Sequence, residues 1–297
     1  MHLNKPWSSD EITRAYLDSL LLETRYLDSD LASTKLELYG ETFESPIMTA
    51  ALSHLGGTHE NGMVEFAKGA QMAGVVHWVG MGDEQELEAI MTTGAKTIKI
   101  IKPHADNEEI FRRIDHAVKA GVFAVGIDID HAFNGDGGYD LINGLPMKPK
   151  SVDEIHEFVK ACPVPFIIKG VLSVSDAKKC VKAGAKGIVI SHHHGIMNYS
   201  VPPLMVLPEI VKAIGHQIPI FVDCGITSGM DAFKALALGA TAVSVGRDLM
   251  EPLKKGGKEA VCERLKELNR QLISTMSRTG ALDVNSIDSS VIWQKNF

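Results

Sequence analysis

Two stretches decide the architecture of the chain: Pro165-Phe166-Ile167-Ile168-Lys169-Gly170, and then Lys186-Gly187-Ile188-Val189-Ile190-Ser191-His192-His193-His194-Gly195. Each is a short apolar, largely β-branched run that stops abruptly at polar residues. Such a run reads as a strand buried on both faces, as in a parallel sheet. The polar groups at its C-terminal tip are then the ones able to meet a ligand. A lysine closes the first run; a serine and three histidines close the second.

The same unit recurs along the chain. Ala73-Gly74 leads into Val75-Val76-His77-Trp78-Val79, Gly94-Ala95 into Thr97-Ile98-Lys99-Ile100-Ile101, and Ala120-Gly121 into Phe123-Ala124-Val125-Gly126-Ile127. Ala183-Gly184 precedes the second quoted run, and Leu238-Gly239 leads into Thr241-Ala242-Val243-Ser244-Val245. Each glycine suits a helix C-cap in the left-handed conformation, behind an amphipathic segment such as 231–238. Adding the apolar runs at 46–50, 165–169 and 219–223 makes eight strands alternating with helices. No dinucleotide-type glycine fingerprint supports an open doubly wound sheet. The pattern predicts an α/β fold, a single (β/α)8 TIM barrel over residues 46–297 with a C-terminal helix. Residues 1–45 are expected to form a helix and a hairpin packed on it: a helical pattern over 8–30 (Ile12, Ala15, Tyr16, Leu20) and a hairpin over 36–43.

Composition narrows the function. The chain has 297 residues, 45% hydrophobic and 23% charged, with a formal net charge of -7. That balance suits a globular core and argues against nucleic acid, whose phosphates need a basic surface. No apolar run approaches the ~20 residues of a membrane span, and Met1–Asp10 carries no apolar signal region, so the expectation is a cytoplasmic protein without a membrane partner. Cys162, Cys180, Cys224 and Cys262 have no metal-ligand spacing and read as free thiols.

In a barrel the strand tips and the loops after them form the site. Asp223-Cys224-Gly225-Ile226-Thr227-Ser228-Gly229, with a helix starting behind it, suits an anion, and Gly246-Arg247 adds a guanidinium. Lys169 closes an apolar strand, where a lysine needs an anion nearby; it serves either as a Schiff-base amine or as a cation facing an electron-rich cofactor. His192, His193 and His194 are consecutive, so alternation prevents all three from converging on a metal ion. Only His193 lies on the same side as Ser191, and Asp130 is its natural carboxylate partner. Asp128 and Asp130 share a face, but no third acid completes a cation site, and no metal is expected. The helix-free stretch 131–150 is a candidate lid.

These residues, in this order, resemble the FMN-dependent α-hydroxy acid oxidase/dehydrogenase family. The resemblance runs from about Ile12 onward and is strongest over 165–170, 187–193 and 218–247. It implies FMN as cofactor, a small-molecule substrate oxidised by two electrons at a CH–OH group, and a homo-oligomer, commonly a tetramer. It assigns His193 as the base, Asp130 as its partner and Lys169 as the cation beside the flavin. Thr49, Ala50, Ala51, Asp128, Ser191, Asp223, Cys224, Gly225, Thr227, Gly246 and Arg247 fall at cofactor positions. The departures lie on the substrate side. Ile196 stands where the family has an arginine that grips the substrate carboxylate, and 130–144 holds no arginine or lysine to supply the second. Losing one such contact removes roughly 2–5 kcal/mol of binding, so an atypical substrate is expected unless Lys99 or Lys102 substitutes. Thr227 replaces a phosphate-binding arginine, Cys224 a glycine, and Asp128 a threonine. Alternatives are an FMN barrel without net redox, a non-catalytic phosphate-ligand-binding descendant, and a flavin-free enzyme using Lys169 as an amine.

Overall fold

A computed structural model describes residues 7–295; the first six residues of the expected N-terminal segment and the last two of the chain lie outside the described residues. Eight parallel strands form the barrel: β1 (Ile47–Thr49), β2 (His77–Val79), β3 (Thr97–Ile101), β4 (Ala124–Asp128), β5 (Phe166–Val171), β6 (Gly187–Ile190), β7 (Ile220–Val222) and β8 (Ala242–Val245). From β2 to β8 each pairs with its neighbour in chain order, and β8 pairs back onto β1. The seam between β1 and β2 closes through a Leu52–Val79 bridge, the Thr49 amide donating to Val76 O, and the Gly80 amide donating to Leu52 O. The expected barrel is therefore the observed one.

The helices are α1 (Ser9–Ser19), α2 (Gly62–Ala73), α3 (Glu84–Met91), α4 (Asn107–Lys119), α5 (Val152–Ala161), α6 (Val174–Lys182), α7 (Pro203–Ile214), α8 (Gly229–Ala237) and α9 (Met250–Arg278), the last interrupted by non-helical backbone at Gly256 and Gly257. Asp83, Asp106, Ser151, Ser173 and Ser228 each cap a helix by accepting a backbone N–H, which satisfies donors that the helix itself leaves open. The glycines expected as C-caps, Gly74, Gly94, Gly121, Gly184 and Gly239, all have positive φ.

Two N-terminal expectations divide. The hairpin forms, Leu36–Leu38 against Glu41–Phe43, and Leu36, Leu38 and Phe43 plug the lower end of the barrel. The helix predicted over 8–30 stops at Ser19. Leu20–Leu22 instead pairs antiparallel with Ile292–Gln294. The triple leucine fits a helix locally, but pairing with the distant C-terminal strand overrides that weak preference. The stretch 131–150 holds a small hairpin, Leu141–Ile142 with Leu145–Pro146. Asn143 and Gly144 turn it with φ of 51° and 77°, the backbone that an Asn-Gly turn of this length requires.

Alternation sorts the barrel. Met48, Trp78, Ile98, Ile100, Ala124, Ile167, Val189, Phe221 and Ala242 fill the interior. Toward the tips of β3 to β8 the inward positions are polar and buried: Lys102, Asp128, Lys169, Ser191, Asp223 and Ser244. His77 faces outward onto Phe66, with Nδ1 hydrogen-bonded to Thr49 Oγ1 and Nε2 without a partner. Burial pushes its pKa down to about 3. The unfolded chain, with histidine near 6.5, then binds more protons between those values. Stability is full above about pH 6.5 and declines as the pH falls toward 3. At pH 5 this residue should cost about 2 kcal/mol relative to pH 7. Urea unfolding of His77→Met should show a flatter acid slope than the parent protein.

Candidate active site

The polar ring at the top of the barrel opens into a cavity of about 630 Å3. Its floor is a chain of opposite charges. Lys102 Nζ lies 2.7 Å from Asp128 Oδ2, and Lys169 Nζ lies 3.3 Å from Asp128 Oδ1 and 3.6 Å from Asp223 Oδ2. Burial alone would push the Asp128 carboxyl up; the charges of Lys169 and Lys102 outweigh it and hold it well below the usual carboxylate range. Burial likewise disfavours the Lys169 cation, and Asp128 and Asp223 reverse that, so its pKa is raised. Both groups stay ionised.

Above this floor stands His193. Its Nδ1 donates to Asp130, 3.0 Å from Oδ1 and 3.2 Å from Oδ2, while Lys169 Nζ lies 3.4 Å from the same nitrogen. The shorter carboxylate contact takes the proton, and the lysine acts on the ring as a charge. The His193 amide donates to Ser191 Oγ at 3.0 Å. Gly170, at φ +92°, is required below Asp130: a Cβ there would come within 2.5 Å of Asp130 Cγ. His192 turns away, accepting from the Gly195 amide at Nδ1 and meeting Thr13 Oγ1 at Nε2. His194 reaches Asp10, which also takes both Nη atoms of Arg247. As the alternation argument requires, the three histidines do not converge.

Of the residues expected at the site, Ala50, Ala51, Asp128, Lys169, His193, Asp223, Cys224, Gly225, Thr227, Gly246 and Arg247 line the one cavity. Asp130 sits behind His193, and Ser191 lies beneath it as the acceptor for its amide. Thr49 turns its hydroxyl outward, toward His77 and the Trp78 amide. Of the two candidate substitute lysines, Lys102 faces inward, whereas Lys99 faces outward and donates to Gly80 O at 2.6 Å. Burial brings the Lys99 amine down to about 8.

Three neighbours escape a sequence reading. His131 places Nε2 3.0 Å from His193 Nε2. Arg14, on α1, forks onto Asp231 at 2.9 and 3.1 Å, reaches Gly225 O at 3.2 Å, and comes within 3.5 Å of Thr227 Oγ1. Asp10 ties α1 to both His194 and Arg247. His131 was visible as part of a strand tip; nothing in the order of residues brings Arg14 beside residue 227.

The sequence profile of the FMN-dependent dehydrogenase family matches residues 7–152 and 147–294. The chain belongs to that family. It is 27% identical to an L-lactate oxidase of Roseobacter sp. (strain GAI101), covering 87% of this chain and 79% of that protein. It is 28% identical to the 4-hydroxymandelate oxidase of Amycolatopsis orientalis, covering 92% and 86%. Among solved structures, a tyrosine-to-phenylalanine variant of mandelate oxidase with the monooxide FMN adduct superposes with a TM-score of 0.89 at 28% identity, covering 99% of this chain and 93% of that one. The protein is an FMN-dependent oxidoreductase related to the 2-hydroxy acid oxidases.

The residues present fit FMN. Lys169 and its carboxylates offer a fixed cation at the floor, and Ala50, Leu52 and Met81 give an apolar wall. Gly246 brings backbone close to the cavity, since a Cβ there would sit 3.2 Å from the Ala50 Cβ. Loop 223–229 ends at the capped N-terminus of α8, an arrangement suited to phosphate.

Three non-glycine residues here hold left-handed backbone: His193 at φ 49°, His194 at 58° and Cys224 at 68°. Each such residue costs on the order of 1 kcal/mol, so the site is held against local strain.

Lys102 and Asp128 test the charged floor. Lys102→Met strands part of a buried carboxylate and should destabilise the protein by roughly 2–4 kcal/mol. Lys102→Met with Asp128→Thr removes both desolvated charges and should recover most of that loss. Urea midpoints of the parent, the two single variants and the double variant measure the coupling.

Proposed function

We propose that the protein oxidises small neutral α-hydroxy carbonyl compounds, such as esters or amides of 2-hydroxy acids, with His193 as base. The observation that carries this reading is the Asp130–His193–Lys169 cluster in a mouth without the arginine pair that would hold a free carboxylate. FMN, when bound, supplies the two-electron acceptor.

His193 Nε2 takes a proton from the carbinol of the substrate. Asp130 keeps the proton on Nδ1, orients the ring and stabilises the imidazolium that forms. Lys169 places positive charge at the floor, favouring electron-rich groups there, and Asp128 and Asp223 keep it charged. Gly225, Gly246 and Arg247 form the phosphate end, with Asp223 at the ribityl end. Arg14 beside Thr227 supplies a guanidinium where the family's own arginine is missing. Ala50 and Ala51 back the ring system.

On the substrate side Lys102 is already paired with Asp128 at 2.7 Å, and Ile196 is half-exposed and apolar. Among the described residues a free carboxylate would find no dedicated cation in this mouth, whereas a neutral carbonyl needs none. A related structure bears on this: an arginine-to-leucine variant of mandelate oxidase was solved with 2-hydroxy-phenylacetamide. A homo-oligomer belongs to the same proposal, through resemblance to the family, and sedimentation checks it.

The purified protein should be yellow, and anaerobic addition of a 2-hydroxy ester or amide should bleach it faster than the free acid does. Faster bleaching by lactate or mandelate overturns the substrate assignment; no flavin band after adding FMN overturns the whole reading. Gly170→Ala, which drives a methyl into Asp130, should lower kcat about 10- to 100-fold while leaving flavin absorbance in place.

A further inference from the structure

His131 stands on the loop after β4 and His193 on the loop after β6. Their rings meet nearly at right angles, with centroids 4.1 Å apart and Nε2 atoms 3.0 Å apart. Behind each ring a carboxylate faces the other nitrogen. Asp130 Oδ1 is 3.0 Å from His193 Nδ1, and Asp140 Oδ2 is 3.5 Å from His131 Nδ1. A carboxylate at one imidazole nitrogen favours the proton there and leaves the lone pair on the other. With both Nδ1 atoms protonated, two Nε2 lone pairs lie 3.0 Å apart, and a cation held by both relieves their repulsion.

The competing arrangements are poorer. If His131 carries its proton on Nε2, it donates to His193, but its Nδ1 lone pair, buried and without a hydrogen-bond partner, then faces the Asp140 carboxylate. A proton shared between the two Nε2 atoms, 3.0 Å apart, makes a single bridging hydrogen bond and excludes the ion only while it is in place. A metal ion differs from a proton because it forms coordinate bonds to both nitrogens and brings its own water ligands.

We propose that His131 and His193 form a binding site for a zinc-class divalent cation, backed by Asp130 and Asp140, whose occupancy silences the base. Two nitrogens at about 2.0–2.1 Å on a tetrahedral ion lie roughly 3.3 Å apart, close to the 3.0 Å here, and the rings, packed edge to face, turn on their side-chain torsions to aim both lone pairs at the ion. Asp130, His131 and His193 are grouped so closely that one ligand atom from each lies within 4.8 Å of the others. Imidazole ligands select zinc, copper or nickel over magnesium and calcium. A bound ion takes the lone pair through which His193 accepts a proton, so binding and turnover exclude one another. That consequence rests on His193 being the base; the binding itself does not.

The test is a zinc titration of the FMN-loaded full chain in competition with a chromophoric chelator, with magnesium as the comparison ion. The expected result is one zinc per chain, no magnesium competition, and loss of turnover with the same midpoint, restored by EDTA. His131→Asn should weaken binding at least tenfold, and Asp140→Asn, which lies behind the ligand, by roughly tenfold. Circular dichroism and the flavin spectrum establish that each variant is folded. Absence of stoichiometric binding, or binding unchanged in folded His131→Asn, overturns the site. Stoichiometric binding with undiminished turnover supports the site and overturns the assignment of His193 as base.

Discussion

The buried charge chain Lys102–Asp128–Lys169–Asp223 is the constraint on which the top of this barrel depends. Four ionised groups lie almost out of contact with water, and each alone would cost several kcal/mol to bury. They are tolerable only because neighbouring strands set opposite signs side by side. Lys169 is the direct sheet partner of Asp128, so the pairing of β5 with β4 and the pairing of their charges are one condition. A slip of one residue would turn the whole set toward the helix layer and bring apolar side chains to the mouth. The ring therefore specifies register as well as chemistry. It also explains how a lysine remains charged within a nearly closed barrel.

The second element that completes the site comes from outside the barrel. α1 crosses the mouth and fastens to it at several points: Thr13 to His192, Arg14 to Asp231 and Gly225 O, Asp10 to His194 and Arg247. Asp231 is nearly inaccessible, and burial would raise its pKa, but the fork from Arg14 keeps it lowered. These contacts make α1 a wall of the cavity, and they deliver a guanidinium to the loop after β7. A barrel strand could not have done so at that position without displacing Thr227.

Much of this was legible in the sequence because it follows from two periods. Apolar runs ending in polar tips, five of them preceded by a capping glycine, defined eight strands and put Lys169, Ser191 and Asp223 at their C-terminal tips. Alternation applied to Ile98 and Ile100 leads to Lys102, which settles the register of β3. What escaped depends on contacts between segments far apart in the chain. The helix from Ser9 ends where the last strand happens to pair. Arg14 reaches residue 227 through docking that no local pattern encodes. His131 and His193 meet because two loops fold toward each other, one of them through left-handed backbone at His193 itself.

The departures from the family then fall into a physical order. Everything that faces the floor of the cavity keeps charge balance: the threonine position became Asp128, and Lys102 stands opposite to neutralise it. The mouth differs. Ile196 beside it is half-exposed and apolar, and the loop after β4 places His131 in the cavity wall. His194 and Cys224 hold left-handed backbone without the glycine that makes it easy, yet each gains something local: His194 an ion pair with Asp10, Cys224 a contact with the Asp223 carboxylate at 3.0 Å. Strain accepted at a site is informative when it is matched by a new contact. Here one contact lies at the α1 side of the mouth and the other on the Asp223 carboxylate of the floor. The charges of the floor are paired with one another, whereas Ile196 beside the mouth brings none.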